Sequence, residues 1–379
     1  MNERLWPGWI AILFGCLFLL VTGIYLLALQ YRRYGRLSWG RSIGTTGVVV
    51  YLFALGAYTM LPLPASRGDF CATQGHRGFQ KEPLNFLHEI QADLSGPMGA
   101  ILRDPAFVQV ALNVLLFIPL GLFAVRWLKS GFLGALALGA LATVAIEMTQ
   151  YTGVWGLFGC AYRFADVDDL MANFIGALIG AVLAYLPVFA WLGGPARNAE
   201  ELGPRPLTRP RRLLGMVFDV AFLQLVWLLV AGIQMAGEAL GFGVAGHPLL
   251  FWAYLLAPAA AVVFAPGLGR TRASWGQRCV WIGAVSGDGA SAGSGRTLLR
   301  ALLGAGGFSM AWNLSVLMPG TGLGGAGAGI GLLLLVAAVI SVLLDPRALG
   351  VSIRLSGLSM ADLRVPAGPA RMNRIRSNA

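Results

Sequence analysis

Apolar residues run on for about 20 positions at several places in this chain, the length a helix needs to cross a bilayer core. Nine such runs are read as spans: Trp9 to Leu29, Ile43 to Leu63, Phe107 to Leu128, Gly131 to Thr149, Leu170 to Leu192, Leu213 to Ile233, Leu249 to Phe264, Leu298 to Leu317 and Ala326 to Leu344. The pattern predicts an all-α fold, a polytopic transmembrane helix bundle of about nine spans. In the seventh run Pro258 removes a helical hydrogen bond, so its ends are the least sharply marked.

Polar punctuation divides the runs. Gly193 to Pro210, rich in Gly, Pro and charge, reads as a linker. It separates a five-helix membrane domain, residues 1–193, from a four-helix one, residues 211–365, with the linker taken as 194–210 and a disordered basic tail at 366–379. The long loop Asp69 to Asp104 holds Leu84, Leu87, Ile90 and Leu94 at helical spacing after Pro83, which predicts an amphipathic helix on the membrane surface. Farther on, Val280, Ile282 and Ala284 alternate before Gly287-Asp288-Gly289, which predicts a short local hairpin.

Composition agrees with a membrane: 57% of residues are hydrophobic and 12% charged, and the mean hydropathy is +0.70. Charge adds an orientation. Arg32, Arg33, Arg36 and Arg41 follow the first run, and basic residues in short loops stay in the cytoplasm. The first run is therefore expected to be an uncleaved anchor with the N-terminus outside. Threading nine spans from there places Arg126 and Lys129, the Arg197 to Arg212 linker, the Arg270 to Arg300 loop and the Arg347 to Arg376 tail inside, so the C-terminus is cytoplasmic. The net charge of +11 then reflects inner loops that meet anionic lipid headgroups, and no nucleic-acid partner is expected.

The same topology sorts the cysteines. Cys71 and Cys160 fall in the two external loops that flank the third and fourth runs, where they can pair or stay free. Cys16 lies within the first run and Cys279 on the reducing side.

Polar residues converge at one level of three runs. Asp166, Asp169, Asn173, Gly176 and Gly180 step by three and four residues along one side of the fifth helix. Ala140, Thr143, Glu147 and Gln150 do the same on the fourth, and Asn113 lies about two turns into the third. Glu147 needs a partner inside lipid, and Arg163 in the adjoining loop is the nearest candidate, with a guanidinium able to bridge two carboxylates. Two readings stand side by side: a buried latch joining three helices, or an outward-facing pocket for a polar ligand.

The stretch from about Gln109 to Tyr185 resembles the VanZ-like family of bacterial membrane proteins. The resemblance is carried by Asn113 with the following LLFIPLG, by Glu147 and Gln150 in EMTQ, and by Arg163 through RFADVDD with Asn173, Gly176 and Gly180. The founding relative confers low-level teicoplanin resistance. Most other members have no assigned reaction.

In the second half Arg212 and Asp219 lie seven residues apart on one helix face, with Arg296 and Arg300 positioned to partner Asp219 from the eighth run. With the stretch from Ser274 to Cys279, these residues make Arg205 to Leu358 resemble the RDD family. The family's C-terminal Asp aligns near Ile353, so this chain lacks it.

Enzymatic signatures are sparse. His76, His88 and His247 are the only histidines, and neither a zincin helix, a nucleophile elbow nor a P-loop occurs. We expect a non-enzymatic multi-pass protein of the bacterial plasma membrane and cell envelope, without cofactor or metal. Its expected ligand site is Asn113, Glu147, Gln150, Arg163, Asp166, Asp169 and Asn173, and its expected partners are membrane lipids, among them an envelope lipid or precursor headgroup. An ion or small-solute transporter built on the RDD-like half is the alternative, and an envelope-lipid hydrolase the second.

Overall fold

A computed structural model of the chain describes residues 6–63, 71, 78–90, 98–193, 203–287 and 289–365. Linker residues 194–202, Leu94 of the amphipathic pattern and the basic tail 366–379 lie outside the described residues. The chain forms two compact units, one of residues 1–21 and 38–196, the other of residues 22–37 and 197–379. The first helix, α1 (Trp6–Tyr34), contributes to both.

The first unit continues with α2 (Trp39–Met60), β1 (Phe79–Gln80), α3 (Phe86–Glu89), α4 (Met98–Ile101), α5 (Pro105–Arg126), α6 (Gly131–Tyr151), β2 (Ala165–Asp166) and α7 (Val167–Leu183). The helix starts follow capping chemistry. Asp104 accepts from the Ala106 N–H with Pro105 at the first position of α5, and Asp166 accepts from the Asp168 N–H at the start of α7. Helices α5 and α7 meet almost backbone to backbone. A Cβ at Gly176 would lie 2.2 Å from the Val114 carbonyl oxygen, and one at Gly180 1.9 Å from that of Ile118. Gly121 returns the contact against the Ala177 carbonyl at 2.0 Å. In lipid, where no hydrophobic force pushes helices together, such close approach is a main source of association. Phe117, Leu120, Leu55 and Ala177 fill the space beside this seam.

The second unit comprises α8 (Arg209–Ala239), α9 (Pro248–Ala259), a π turn at Ala260–Phe264, α10 (Ala265–Leu268), α11 (Trp275–Cys279), β3 (Ile282–Val285), α12 (Ser294–Leu302), α13 (Ala305–Leu317), α14 (Gly322–Leu344), α15 (Val351–Leu355) and β4 (Ser359–Asp362). Its core gathers Phe218, Val280, Ile282, Ile353 and Met360 around Ala28 of α1. The α1 end is held there by Arg32, which stacks 3.4 Å above the Trp281 ring and donates to the Arg278 carbonyl, while the Trp281 indole donates to the Arg32 carbonyl.

Six helices among the described residues are long and apolar enough to cross a membrane, or seven if the bent α1 counts as one span. The fold is thus an all-α membrane bundle, with fewer full-length helices than the nine apolar runs suggested. Two runs account for most of the difference. The fifth ends at Leu183 after 17 residues, because Pro187 cannot continue a helix and the chain turns instead into a 3-10 segment, Pro187–Gly193. The eighth divides at Leu303 and Gly304 into the nine-residue α12 and the 13-residue α13. Arg296 and Arg300 make α12 amphipathic rather than apolar.

Two local expectations are corrected. The amphipathic helix after Pro83 shrinks to the single turn Phe86–Glu89. The local hairpin is replaced by a long-range pair, since β3 aligns antiparallel with β4, Ile282 opposite Asp362 and Val285 opposite Ser359. An isolated bridge from Val285 to Ser291 is the remnant of the local pairing.

Asp362 closes this small sheet. Its Oδ2 meets Arg211 Nη2 at 2.8 Å and Arg364 Nη2 at 2.6 Å, and it accepts from the Arg205 N–H at 3.0 Å. Burial alone would raise its pKa, but the hydrogen bonds from Arg364 and the backbone N–H of Arg205, with the charge of Arg211, hold it down at about 2. A depressed carboxylate stabilises the fold fully above its unfolded pKa and loses that contribution as pH falls through the folded value. Acid unfolding of the purified protein should therefore show a loss of about 2 kcal/mol between about pH 4 and pH 2 that is absent in Asp362→Asn. An identical acid limb in both proteins would contradict the assignment.

Candidate functional site

The polar residues of α5, α6 and α7 do come together, but through partners that only partly follow the expected ones. Asn113 donates from Nδ2 to Asp169 Oδ1, joining α5 to α7. Glu147, only 5% exposed, accepts from the Asp166 backbone N–H at 3.1 Å and so ties α6 to the start of α7. One turn deeper, Asn173 donates to Thr143 Oγ1 at 3.0 Å. The helical stripe on α7 therefore splits: Asp169, Gly176 and Gly180 face α5, whereas Asn173 faces α6.

Arg163 does not bridge the carboxylates. Its Nη1 donates to the Thr59 carbonyl at 2.9 Å, and among the described residues it forms no ion pair. Gln150 Nε2 reaches the same oxygen at 2.6 Å, and the Tyr162 hydroxyl donates to the Met60 carbonyl at 3.2 Å. The physical reason lies in α2. The last carbonyls of a helix have no intrahelical donor and sit at the negative end of its dipole, so they draw a guanidinium and an amide as the carboxylates would. Thr59 and Met60 are the last residues of α2.

Asp168, which is not among the expected site residues, stands in the same acidic stretch. It is 5% exposed and accepts from the Leu84 N–H and, at 2.9 Å, from the Phe86 N–H, which fixes the loop that carries α3. The parallel pair β1–β2, with Phe79 opposite Ala165 and Gln80 opposite Asp166, adds a second tie. Cys71 and Cys160 supply a third as a disulfide that closes a separation of 89 residues. Burial pushes the Asp166 carboxyl above its ordinary range, and the neighbouring Asp168 and Glu89 add to the rise.

The disulfide yields a direct prediction. Cys71→Ser should lower stability by about 2 to 4 kcal/mol, read as a fall in the thermal midpoint of detergent-purified protein that reductant reproduces in wild type. A midpoint insensitive to both changes would show that the loop is held without the bond.

In the second unit Asp219 is 2% exposed, and its partners are neither arginine. Its Oδ2 accepts from Ser274 Oγ at 2.7 Å and its Oδ1 from the Gly276 N–H at 2.8 Å. This contact needs glycine, because a Cβ at Gly276 would lie 2.3 Å from the Gly215 carbonyl oxygen. Arg212 and Arg300 are buried nearby, while Arg296 is exposed on α12. Arg300 Nη1 donates to Gln277 Oε1 at 2.7 Å. Ser274 and Gln277 were visible in the sequence only as part of the conspicuous SWGQR stretch.

Residues 48–189 match the VanZ/LLP1 family model. The match begins inside α2, ends in the 3-10 segment after α7 and takes in every residue of the polar cluster, so the N-terminal half is VanZ-like. No curated protein and no solved structure matches the chain.

Proposed function

We propose that this VanZ-like multi-pass membrane protein is a non-enzymatic component of the bacterial plasma membrane and envelope, with the α5–α6–α7 polar cluster at its outer rim. The observation that carries this reading is how the rim is built. Asp166, Asp168, Asp169 and Glu147 each already accept a hydrogen bond from a backbone or amide N–H. The half-buried Arg163 guanidinium is thereby left as the charge available to an anionic envelope headgroup or precursor, with the acids as its frame.

The orientation belongs to the same reading. A disulfide forms in oxidising compartments, which favours Cys71 and Cys160 outside, and the charge asymmetry of the loops favours the same side. Nine crossings remain our reading, with α7 and α13 as the short ones. At 13 residues α13 is about 20 Å long and needs a locally thinned bilayer. The RDD-like reading of the second unit rests on Arg212, Asp219 and the stretch from Ser274.

The test is susceptibility to teicoplanin-type glycopeptides in a deletion strain complemented with wild type or Arg163→Ala. Arg163→Ala should reach wild-type abundance in the membrane and lose the protein's effect on susceptibility. Normal abundance with an unchanged effect would remove Arg163 as the contact. A deletion strain that responds like wild type to such wall-active compounds would remove the envelope role itself.

A further inference from the structure

A cavity of about 70 Å³ opens in the second unit between α8, α11, α12, α13 and α14. One end is polar, lined by Arg212, Asp219, Ser274, Gln277 and Arg300. The other is apolar, with Met216, Phe308, Leu334, Leu335 and Ala338 among its lining. Arg212 is 5% exposed and Arg300 4%. Buried cations of this kind are normally paired, because a desolvated charge without a partner is among the costliest groups a fold can hold.

Here the pairing is incomplete. Nε and Nη1 of Arg212, and Nε and Nη2 of Arg300, are buried without a hydrogen-bond partner. The one carboxylate in the cavity does not supply it. Both Asp219 oxygens are taken up by Ser274 Oγ and the Gly276 N–H, and neither arginine comes within ion-pair distance of it among the described residues. Two guanidinium groups against one carboxylate leave a single positive charge uncompensated. The donors left over on Arg300, Nε and Nη2, share one edge of its guanidinium, the fork that suits two oxygens of one oxyanion, and Arg212 adds Nε and Nη1 as separate donors.

We propose that this cavity binds a single oxyanion group of the phosphate class through Arg212 and Arg300, with Gln277 and Ser274 holding the arginine and the carboxylate in place. The shared chemistry has two sources, a free phosphate or the phosphodiester of an anionic lipid whose chain would follow the apolar wall. The site lies in the second unit and does not depend on the function proposed for the VanZ-like half.

The experiment uses the full-length protein. Inorganic phosphate is titrated by calorimetry against detergent-purified wild type, and retained phosphatidylglycerol is measured by native mass spectrometry after reconstitution in phosphatidylcholine discs with and without that lipid. Saturable phosphate binding would support a free-anion site, and selective retention of phosphatidylglycerol without it would support a headgroup site. Arg300→Gln and Arg212→Gln should weaken whichever ligand binds by roughly tenfold or more. Arg296→Gln, which removes an equal but exposed charge from the same helix, should leave it unchanged. Neither ligand binding to wild type would overturn the proposal whether or not the variants fold, and so would an equal loss in Arg296→Gln.

Discussion

Protein carrying Gly180→Leu should be depleted from the membrane, and what remains should unfold roughly 3 kcal/mol more easily than wild type. The reason is geometric. The added Cβ alone would stand 1.9 Å from the Ile118 carbonyl oxygen and 2.8 Å from its carbon. These are helix backbone atoms, so they cannot move aside as the tip of a side chain can. Helices α5 and α7 must separate, and with them go the Gly176 and Gly121 contacts and the Asn113–Asp169 bond on the same face. Gly47→Leu on α2 is the control, because nothing lies within 4 Å of the Cβ it would add. Thermal midpoints of the two purified variants, with membrane abundance measured beside them, decide the matter. Equal behaviour would mean that the α5–α7 crossing is not the close contact described.

The second large effect is expected at Arg211. This residue is 6% exposed and binds the carbonyls of Val280, Trp281, Arg205 and Pro206 as well as Asp362. It joins the start of α8, the approach to β3 and the end of β4. Arg211→Met strands these acceptors and leaves Asp362 to Arg364 and backbone N–H groups. The expected loss is about 3 to 5 kcal/mol, typical of a buried pair that loses one member. The double variant Arg211→Met, Asp362→Asn should lose less than the sum of the two single losses, because both changes remove the same ion pair. Denaturant unfolding followed by the summed tryptophan emission would read both, and additive losses would contradict the coupling.

How far the sequence led differs by level. The apolar runs located the long helices well, since 20 residues of hydrocarbon-compatible side chains have few other uses in a chain. They failed where backbone chemistry intervened, at Pro187 after α7 and at Gly304 between α12 and α13. Spacing also found the polar stripes on α6 and α7, because three- and four-residue steps fix a helix face whatever the tertiary structure. It missed partners whose signal is not periodic. The carbonyl of Thr59 that gathers Gln150 and Arg163 is a backbone atom at a helix end, invisible in side-chain pattern. The partner of β3 lies in β4, across four intervening helices, and an alternating stretch says nothing of where its partner is. In the sequence Asp168 is one acid among three in RFADVDD, whereas the two N–H groups it holds belong to a distant loop.

The placement of the polar cluster at an outer, oxidised rim is the claim on which the account turns. It is tested most directly in intact cells, in a background of Cys16→Ala and Cys279→Ala, by labelling with a membrane-impermeant maleimide. The account predicts no labelling before reduction and labelling of both Cys71 and Cys160 after it, with the membrane still sealed. Labelling without reductant, or only after the cells are made permeable, would contradict it.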